Sequence, residues 1–342
     1  MAMNGTSSTE TEQIIIGISS SISIVCSFLI LTTFACLREV QTLTRQIIIC
    51  MTIADLLTAL ANLIGAMVIH GQFHTVSSKT VIEDDGFLSW CTIQSFVSST
   101  SSLWSFLWTM VLSIALHYVI VKEKVDRIIK VLPWLHVLCW LLPLVVNVVA
   151  LWKGKLGYSK DAVTGGWCWI STDVHNEAVI WMTLDGKFIE ILTYFVIFYY
   201  FVLIKKHLKK KLRKISRSSA SSLTKNSNSI VDAIRLLEKK LIFLPILLIL
   251  LRIWGTIRYL FVVFKLNTAN HKGVETADRV LSYLQGVGDS SQATLNFIIF
   301  CACTPKIRKQ IFNWIHSGKC HQNSAAKTDS EEGERKTLIT KP

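Results

Sequence analysis

Charge is scarce in this 342-residue chain: 17% of its residues are Asp, Glu, Lys or Arg, against 51% that are hydrophobic. A water-soluble domain of that length needs far more charge to cover its surface, so the composition argues against one. Missing as well are a phosphate-binding loop, any paired spacing of metal ligands and any nucleic-acid-binding motif. The nine histidines are scattered, with His117 and His136 inside apolar stretches where a packing role is the default. No enzyme, metal, cofactor or nucleic-acid chemistry is therefore expected. There is no internal repeat, which weighs against a transporter built from duplicated halves. The ten-residue alternating segments of a membrane barrel are absent too, because the apolar runs are longer and apolar at consecutive positions.

What the chain does have is long apolar runs. A hydrocarbon core about 30 Å thick needs roughly 20 apolar residues per helix. Windows of that length pick out 13–37, 47–69, 88–121, 131–152, 178–204, 241–264 and 277–303. The expected fold is all-α, a bundle of seven transmembrane helices. Of the 36 Lys and Arg, 26 fall in segments 38–46, 122–130, 205–240 and 304–342, and six in 1–12, 70–87, 153–177 and 265–276. Basic residues near span ends resist translocation, so the N-terminus is expected outside and the C-terminus in the cytoplasm. Asn4-Gly5-Thr6 is a glycosylation acceptor that agrees with an outer N-terminus. Residues 1–13 lack the basic start of a cleaved signal peptide, so the first span is expected to act as an uncleaved anchor. The formal +13 then reads as topology and attraction to inner-leaflet lipid.

Seven of the nine cysteines lie within spans or in the cytoplasmic tail. Cys91 and Cys168 are the two on the oxidising side, where they either bridge, tying the 153–177 loop over the bundle, or stay as two thiols. Cys301 and Cys303 are read as packing in the seventh span. Cys320 follows an amphipathic segment and is a candidate palmitoylation site.

Ionisable groups at membrane depth are costly and face the bundle interior or water. Here they are Asp55, Asp185, Lys187, Glu190, Arg252, Arg258 and Asp289. Arg252 lies near the midplane, while Arg258 is about 9 Å further out and about 120° round the helix, so the two need not share a partner. By depth Asp289 is the nearest candidate partner for Arg252, with Asp55 and Glu190 the others. Asp55, Arg252 and Asp289 are read as an intramembrane polar network. It either fixes helix packing or rearranges on activation. Lys187, Glu190, Arg258, Tyr259, Tyr283 and Gln285 fall in the outer halves of the last three spans, the mouth of the bundle, and form a candidate ligand site. Two cations there suit a small anionic or carboxylate-bearing ligand. Alternatively, Lys187 pairs with Glu190 one turn on and Arg258 reaches outward to water. Trp167, Trp169 and Trp181 read as interface-belt or loop-packing residues.

Several stretches carry a family resemblance: TIADLLTA (52–59), LWTMVLSIALHYVIV (107–121), GWCWI (166–170), KKLIFLPILLILLRIWGTIRYLF (239–261) and GVGDSSQATLNFIIFCACT (286–304). Over about residues 14–315 the chain resembles the G-protein-coupled receptors, in the branch of the slime-mould cyclic-AMP receptors and the secretin-like receptors. The third span has no Asp-Arg-Tyr and the seventh no Asn-Pro-x-x-Tyr, so the rhodopsin class fits poorly. The dozen residues before the first span are too few for the disulfide-rich hormone-binding domain of secretin receptors, so a large peptide hormone is not expected.

The resemblance implies a receptor in the plasma membrane that passes an extracellular signal to a heterotrimeric G protein. A seven-span transporter or channel is the alternative. The receptor resemblance implies a G-protein-facing surface at Lys205, Lys206, Lys209, Lys210, Arg213, Lys239 and Lys240, around the basic third inner loop 205–240. Thr304-Pro305 opens a segment, 304–320, with Ile307, Ile311 and Ile315 four apart, expected as a short amphipathic eighth helix on the inner leaflet. The serine-rich middle of the inner loop suits phosphorylation. The expected organisation is thus an extracellular N-terminus 1–12, a bundle 13–303, the helix 304–320 and a disordered cytoplasmic tail 321–342.

Overall fold

The computed structural model of the chain describes residues 3–36, 43–75, 85–158, 167–171, 174–218, 243–264, 272–302 and 308. Among these, seven helices form a bundle: α1 (Met3–Cys36), α2 (Leu43–Thr75), α3 (Asp85–His117), α4 (Val125–Trp152), α5, α6 (Phe243–Val263) and α7. A π-helical turn, Tyr118–Lys122, ends α3. The α5 helix starts as His175–Met182, widens into a π turn at Thr183–Lys187 and resumes as Phe188–Ser218. The α7 helix runs over Lys272–Ser290, restarts as Gln292–Phe297 and closes in a π turn, Ile298–Ala302.

The side-chain pattern is that of a protein solvated by lipid. On α1, Ile16, Ser20, Ser23, Ser27 and Ile30 are buried at helical spacing, while Ile14, Ile18, Ile22, Val25 and Phe28 face outward. Small polar residues inside and large apolar ones outside reverse the soluble rule, because lipid accepts Ile and Phe and helices approach closely over Ser. The Ser27 hydroxyl satisfies itself by donating to the Ser23 carbonyl at 2.9 Å. The central α3 buries Ser95, Ser98, Ser105, Thr109 and Ser113 beside Leu103, Phe106, Trp108 and Leu112. Peripheral α4 leaves Val131, Trp134, Val137, Leu141 and Val145 exposed.

Among the described residues, six helices are long and apolar enough to cross a membrane by length and composition, and α7 is the exception. Its outer part carries Asp278, Arg279, Gln285 and Asp289. Ser282, Gln285, Asp289 and Ser290 are buried, while Val280, Leu284 and Val287 face outward, so the helix is polar toward its neighbours and apolar toward lipid. The structure also breaks the expected continuous seventh span. Ser291, at φ −97° and ψ 6°, leaves helical geometry, and Gln292–Ala302 is a separate apolar segment. At the other end, α1 is already helical at Met3, so residues 3–12 continue the first helix. Of Asn4 only this backbone is described. The segments 304–307 and 309–342 lie outside the described residues, which removes the expected eighth helix and Cys320 from view, as do Lys239 and Lys240 in 219–242.

A two-stranded hairpin closes the outer end. Gly154, at φ 63°, ends α4 in a Schellman turn, its N–H donating to Leu151 O and that of Lys155 to Ala150 O, both at 2.9 Å. The chain then enters β1 (Leu156–Gly157), which pairs antiparallel with β2 (Trp169–Ile170). Cys168, just before β2, is disulfide-bonded to Cys91 of α3 with Cα atoms 5.3 Å apart. Gln94 Oε1 accepts the Cys168 N–H at 3.0 Å, and Ser95 Oγ donates to the Trp169 carbonyl at 2.7 Å. The bridge closes a loop of sequence separation 77. Losing such a constraint costs about 2–4 kcal/mol. Cys91→Ser, Cys168→Ser and the double variant are therefore expected to lower the melting temperature equally, measured on the full chain in detergent. An additive loss in the double variant would show that each cysteine acts alone.

Candidate ligand cavity and the polar relay between α6 and α7

Beneath the hairpin lies a cavity holding about 530 Å³ of empty space, its open mouth included. Its walls come from α2 (Asn62), α3 (Ser98, Ser99, Ser102, Leu103, Phe106), the loop (Trp167, Trp169), α5 (Asp185, Gly186, Lys187, Glu190), α6 (Arg252) and α7 (Gln285, Asp289). The π turn of α5 is what brings Asp185, Gly186 and Lys187 to the cavity together. An extra residue in one turn rotates the side chains that follow, a device common at functional sites.

Apart from Asp185, the charges in and above the cavity are organised in pairs. Lys187 Nζ lies 2.7 Å from Glu190 Oε2, and both are buried. Glu190 Oε1 accepts the Tyr194 hydroxyl at 2.6 Å and the Thr256 hydroxyl of α6 at 2.5 Å. Arg252 Nη1 lies 3.1 Å from Asp289 Oδ1, with its guanidinium 5.2 Å from the centre of the Phe106 ring. Gln285 Nε2 donates to Asp289 Oδ2 at 3.3 Å and its Oε1 accepts Arg258 Nη1 at 2.9 Å. Arg258 in turn reaches Asp278 through Nε at 2.8 Å and Nη2 at 3.3 Å. Asp278, Arg258, Gln285, Asp289 and Arg252 thus form one hydrogen-bonded relay that crosses repeatedly between α6 and α7. Each charge in the relay is matched by an opposite one, as membrane depth demands.

A second tier lies below. Asp55 of α2 accepts Ser105 Oγ of α3 at 2.6 Å and Asn296 Nδ2 of α7 at 2.9 Å, and Gln292 Nε2 donates to Ser105 Oγ at 2.7 Å. Asn62 accepts from Ser98 Oγ at 2.9 Å and donates to Ser290 Oγ at 3.3 Å. Asp55 therefore ties α2, α3 and α7 together through neutral partners, while Arg252 takes Asp289.

Of the six residues expected at the mouth, Lys187, Glu190 and Gln285 line the cavity, while Arg258, Tyr259 and Tyr283 do not. Tyr259 is buried, its hydroxyl 2.7 Å from that of Thr183. Tyr283 is half-buried on α7. The two cations expected to meet an anion are both engaged, Lys187 by Glu190 and Arg258 by Asp278 and Gln285. Asp278, Gln292, Asn296 and Asn62 are among the participants that the sequence reading does not include, and Trp169, expected as an interface-belt or loop-packing residue, donates its indole N–H to Asp185 Oδ2 at 2.7 Å. Asp278, Gln285, Asp289, Gln292 and Asn296 recur three, four or seven residues apart, a polar stripe that carries the signal. On the inner side α5 reaches Ser218, and its Lys205, Lys206, Lys209, Lys210 and Arg213 are exposed.

Comparison with known proteins places this geometry. Residues 9–288 match the family model described as 7 transmembrane receptor (Secretin family). The chain is 28% identical over 308 residues to G-protein coupled receptor 157 of Mus musculus, covering 88% of this chain and 85% of that one. It is equally 28% identical over 309 residues to the Homo sapiens protein of the same name, covering 89% and 84%. Among solved structures it superposes on squid rhodopsin with a TM-score of 0.61, at 17% identity, over 96% of this chain and 91% of the other. The rhodopsin likeness is one of fold alone.

Proposed function

The chain belongs to the secretin family of seven-transmembrane receptors and is a G-protein-coupled receptor, and we propose that it senses a small extracellular ligand in the cavity beneath the hairpin. One observation carries this reading. The Arg252–Asp289 ion pair that lines the cavity is also one of the ties between α6 and α7. A molecule entering the cavity meets that tie, and a ligand shifts a two-state bundle only through contacts that differ between its states. Displacing α6 then opens the inner face to the G protein, with Lys205, Lys206, Lys209, Lys210 and Arg213 of α5, and Lys239 and Lys240, as the basic surface it meets. The family is one of receptors and not a class of enzymes.

The same reading puts the chain in the plasma membrane with Asn4 outside and glycosylated and with the C-terminus in the cytoplasm. The strong basic bias of the segments 38–46, 122–130, 205–240 and 304–342 supports that orientation. It also gives 304–320 as an amphipathic helix on the inner leaflet, Cys320 as its lipid attachment point and 321–342 as a tail.

The test is guanine-nucleotide exchange in membranes from cells expressing the full chain, with G-protein α-subunits of each class. Changing Lys205, Lys206, Lys209, Lys210 and Arg213 together to Gln is expected to reduce exchange to background while the amount at the cell surface is unchanged. Exchange that survives the five substitutions would place the G-protein surface elsewhere.

A further inference from the structure

The charge inventory of the cavity does not balance. Three carboxylates (Asp185, Glu190, Asp289) and two cations (Lys187, Arg252) line it. Each cation already holds one of the other two carboxylates, Lys187 with Glu190 and Arg252 with Asp289. Asp185 is left without a basic partner among the described residues. It is 1% exposed, and its Oδ2 receives the Trp169 indole N–H at 2.7 Å. The Ser99 hydroxyl is a second, neutral neighbour of the carboxylate, and Oδ1 is without a hydrogen-bond partner among the described residues. A buried carboxylate oxygen with nothing to accept from is costly, and such groups are normally paired.

The surroundings say what would pair with it. Trp167 and Trp169 form the neighbouring wall, and the Trp169 ring already carries the Lys187 ammonium 6.0 Å from its centre. Aromatic faces next to a carboxylate favour an organic cation, through the ring quadrupole and a charge-assisted N–H···O bond. The expectation of an anionic ligand drew on Lys187 and Arg258, and internal acids neutralise both. Resting on the cavity as the ligand site, we propose that its ligand is a small molecule carrying a protonated amine, with Asp185 as counter-ion and the Trp167 and Trp169 rings as walls.

Two probes of matched shape and opposite charge separate the possibilities: 2-phenylethylamine and 3-phenylpropanoate. With the full chain in lipid nanodiscs, the amine at saturation is expected to raise the melting temperature by roughly a few degrees. It is expected to do the same for Asp185→Glu and to do nothing for Asp185→Asn. If Asp185→Asn fails to fold, Trp169→Leu keeps the carboxylate, removes one wall and should weaken the apparent affinity about fivefold. Stabilisation by the carboxylate probe, an amine effect that persists in Asp185→Asn, or no effect of the amine on the unmodified chain would each overturn the proposal. Ser102→Trp, which fills the cavity, tells this failure from failure of the cavity reading. If the carboxylate's effect disappears in Ser102→Trp, the cavity stands as the site and only the amine is wrong. If a probe's effect survives there, both readings fall.

Discussion

Asp289→Asn is expected to destabilise the receptor by about 3–5 kcal/mol, and more than Arg252→Gln does, although both break the same 3.1 Å ion pair. The asymmetry comes from what each variant strands. A guanidinium cannot lose its proton, so Asn at 289 leaves a permanent charge at membrane depth without its ion-pair partner, with the Phe106 ring 5.2 Å away and Asp55 acting only through space. A stranded carboxylate can bind a proton and become neutral, so Gln at 252 leaves a lesser problem. Removing both charges in Arg252→Gln/Asp289→Asn should then recover much of the loss, because neither partner is left uncompensated. Melting temperatures of the four proteins in detergent give the coupling directly. Single losses that merely add would mean the pair carries no specific energy.

The same double variant separates structure from switching. It removes the cavity-lining tie between α6 and α7 without burying a charge, leaving Arg258 with Asp278 and Gln285, so basal nucleotide exchange is expected to rise above that of the unmodified chain. If it folds, reaches the surface and exchanges at the ordinary basal rate, the ion pair holds the helices together and does not gate them.

How much of this was readable beforehand follows from what kind of information sets each feature. Six spans were legible because apolar length is a one-dimensional property. The seventh was located, but not its break at Ser291, because a continuous apolar count does not register where backbone geometry changes. Depth along a helix is also one-dimensional, and it ranked Asp289 first for Arg252. Which way a side chain is turned depends on how neighbouring helices rotate against each other. That is why Arg258 was not matched to Asp278, which lies five residues before Tyr283 in a stretch rich in polar residues. Trp169 reads from sequence as an interface-belt or loop-packing residue because its hydrogen bond to Asp185 depends on the Cys91–Cys168 bridge and on the hairpin, both long-range. The π turn of α5 has no marker in the sequence at all. It alters which face Asp185 and Lys187 share, so a count of 100° steps through α5 misplaces them.

Gly288→Ala is expected to be among the most damaging small substitutions in the bundle, even though alanine is the better helix former by about 0.5–1 kcal/mol. A Cβ at 288 would fall on the Leu251 carbonyl oxygen and 2.9 Å from its carbonyl carbon. Both are backbone atoms of α6, so no rotamer change relieves the contact and the two helices must separate. Small residues at membrane helix crossings exist to permit such an approach. The contact lies one residue before both members of the ion pair, Leu251 before Arg252 and Gly288 before Asp289. Separation at 288 therefore lengthens the Arg252–Asp289 contact as well, adding its loss to the overpacking cost of about 1–3 kcal/mol. Gly255 offers a graded comparison. A Cβ there meets Gln285 Nε2 at 2.9 Å, a side-chain atom that can move, though only by releasing its bond to Asp289. Gly17 and Gly273 have nothing within 4 Å, so alanine at either should be neutral or slightly stabilising. Surface expression and melting temperature are expected to fall in the order Gly273→Ala and Gly17→Ala, then Gly255→Ala, then Gly288→Ala. A Gly288→Ala receptor as stable as the Gly273→Ala one would mean that α6 and α7 are not in backbone contact, and the relay between them would have to be redrawn.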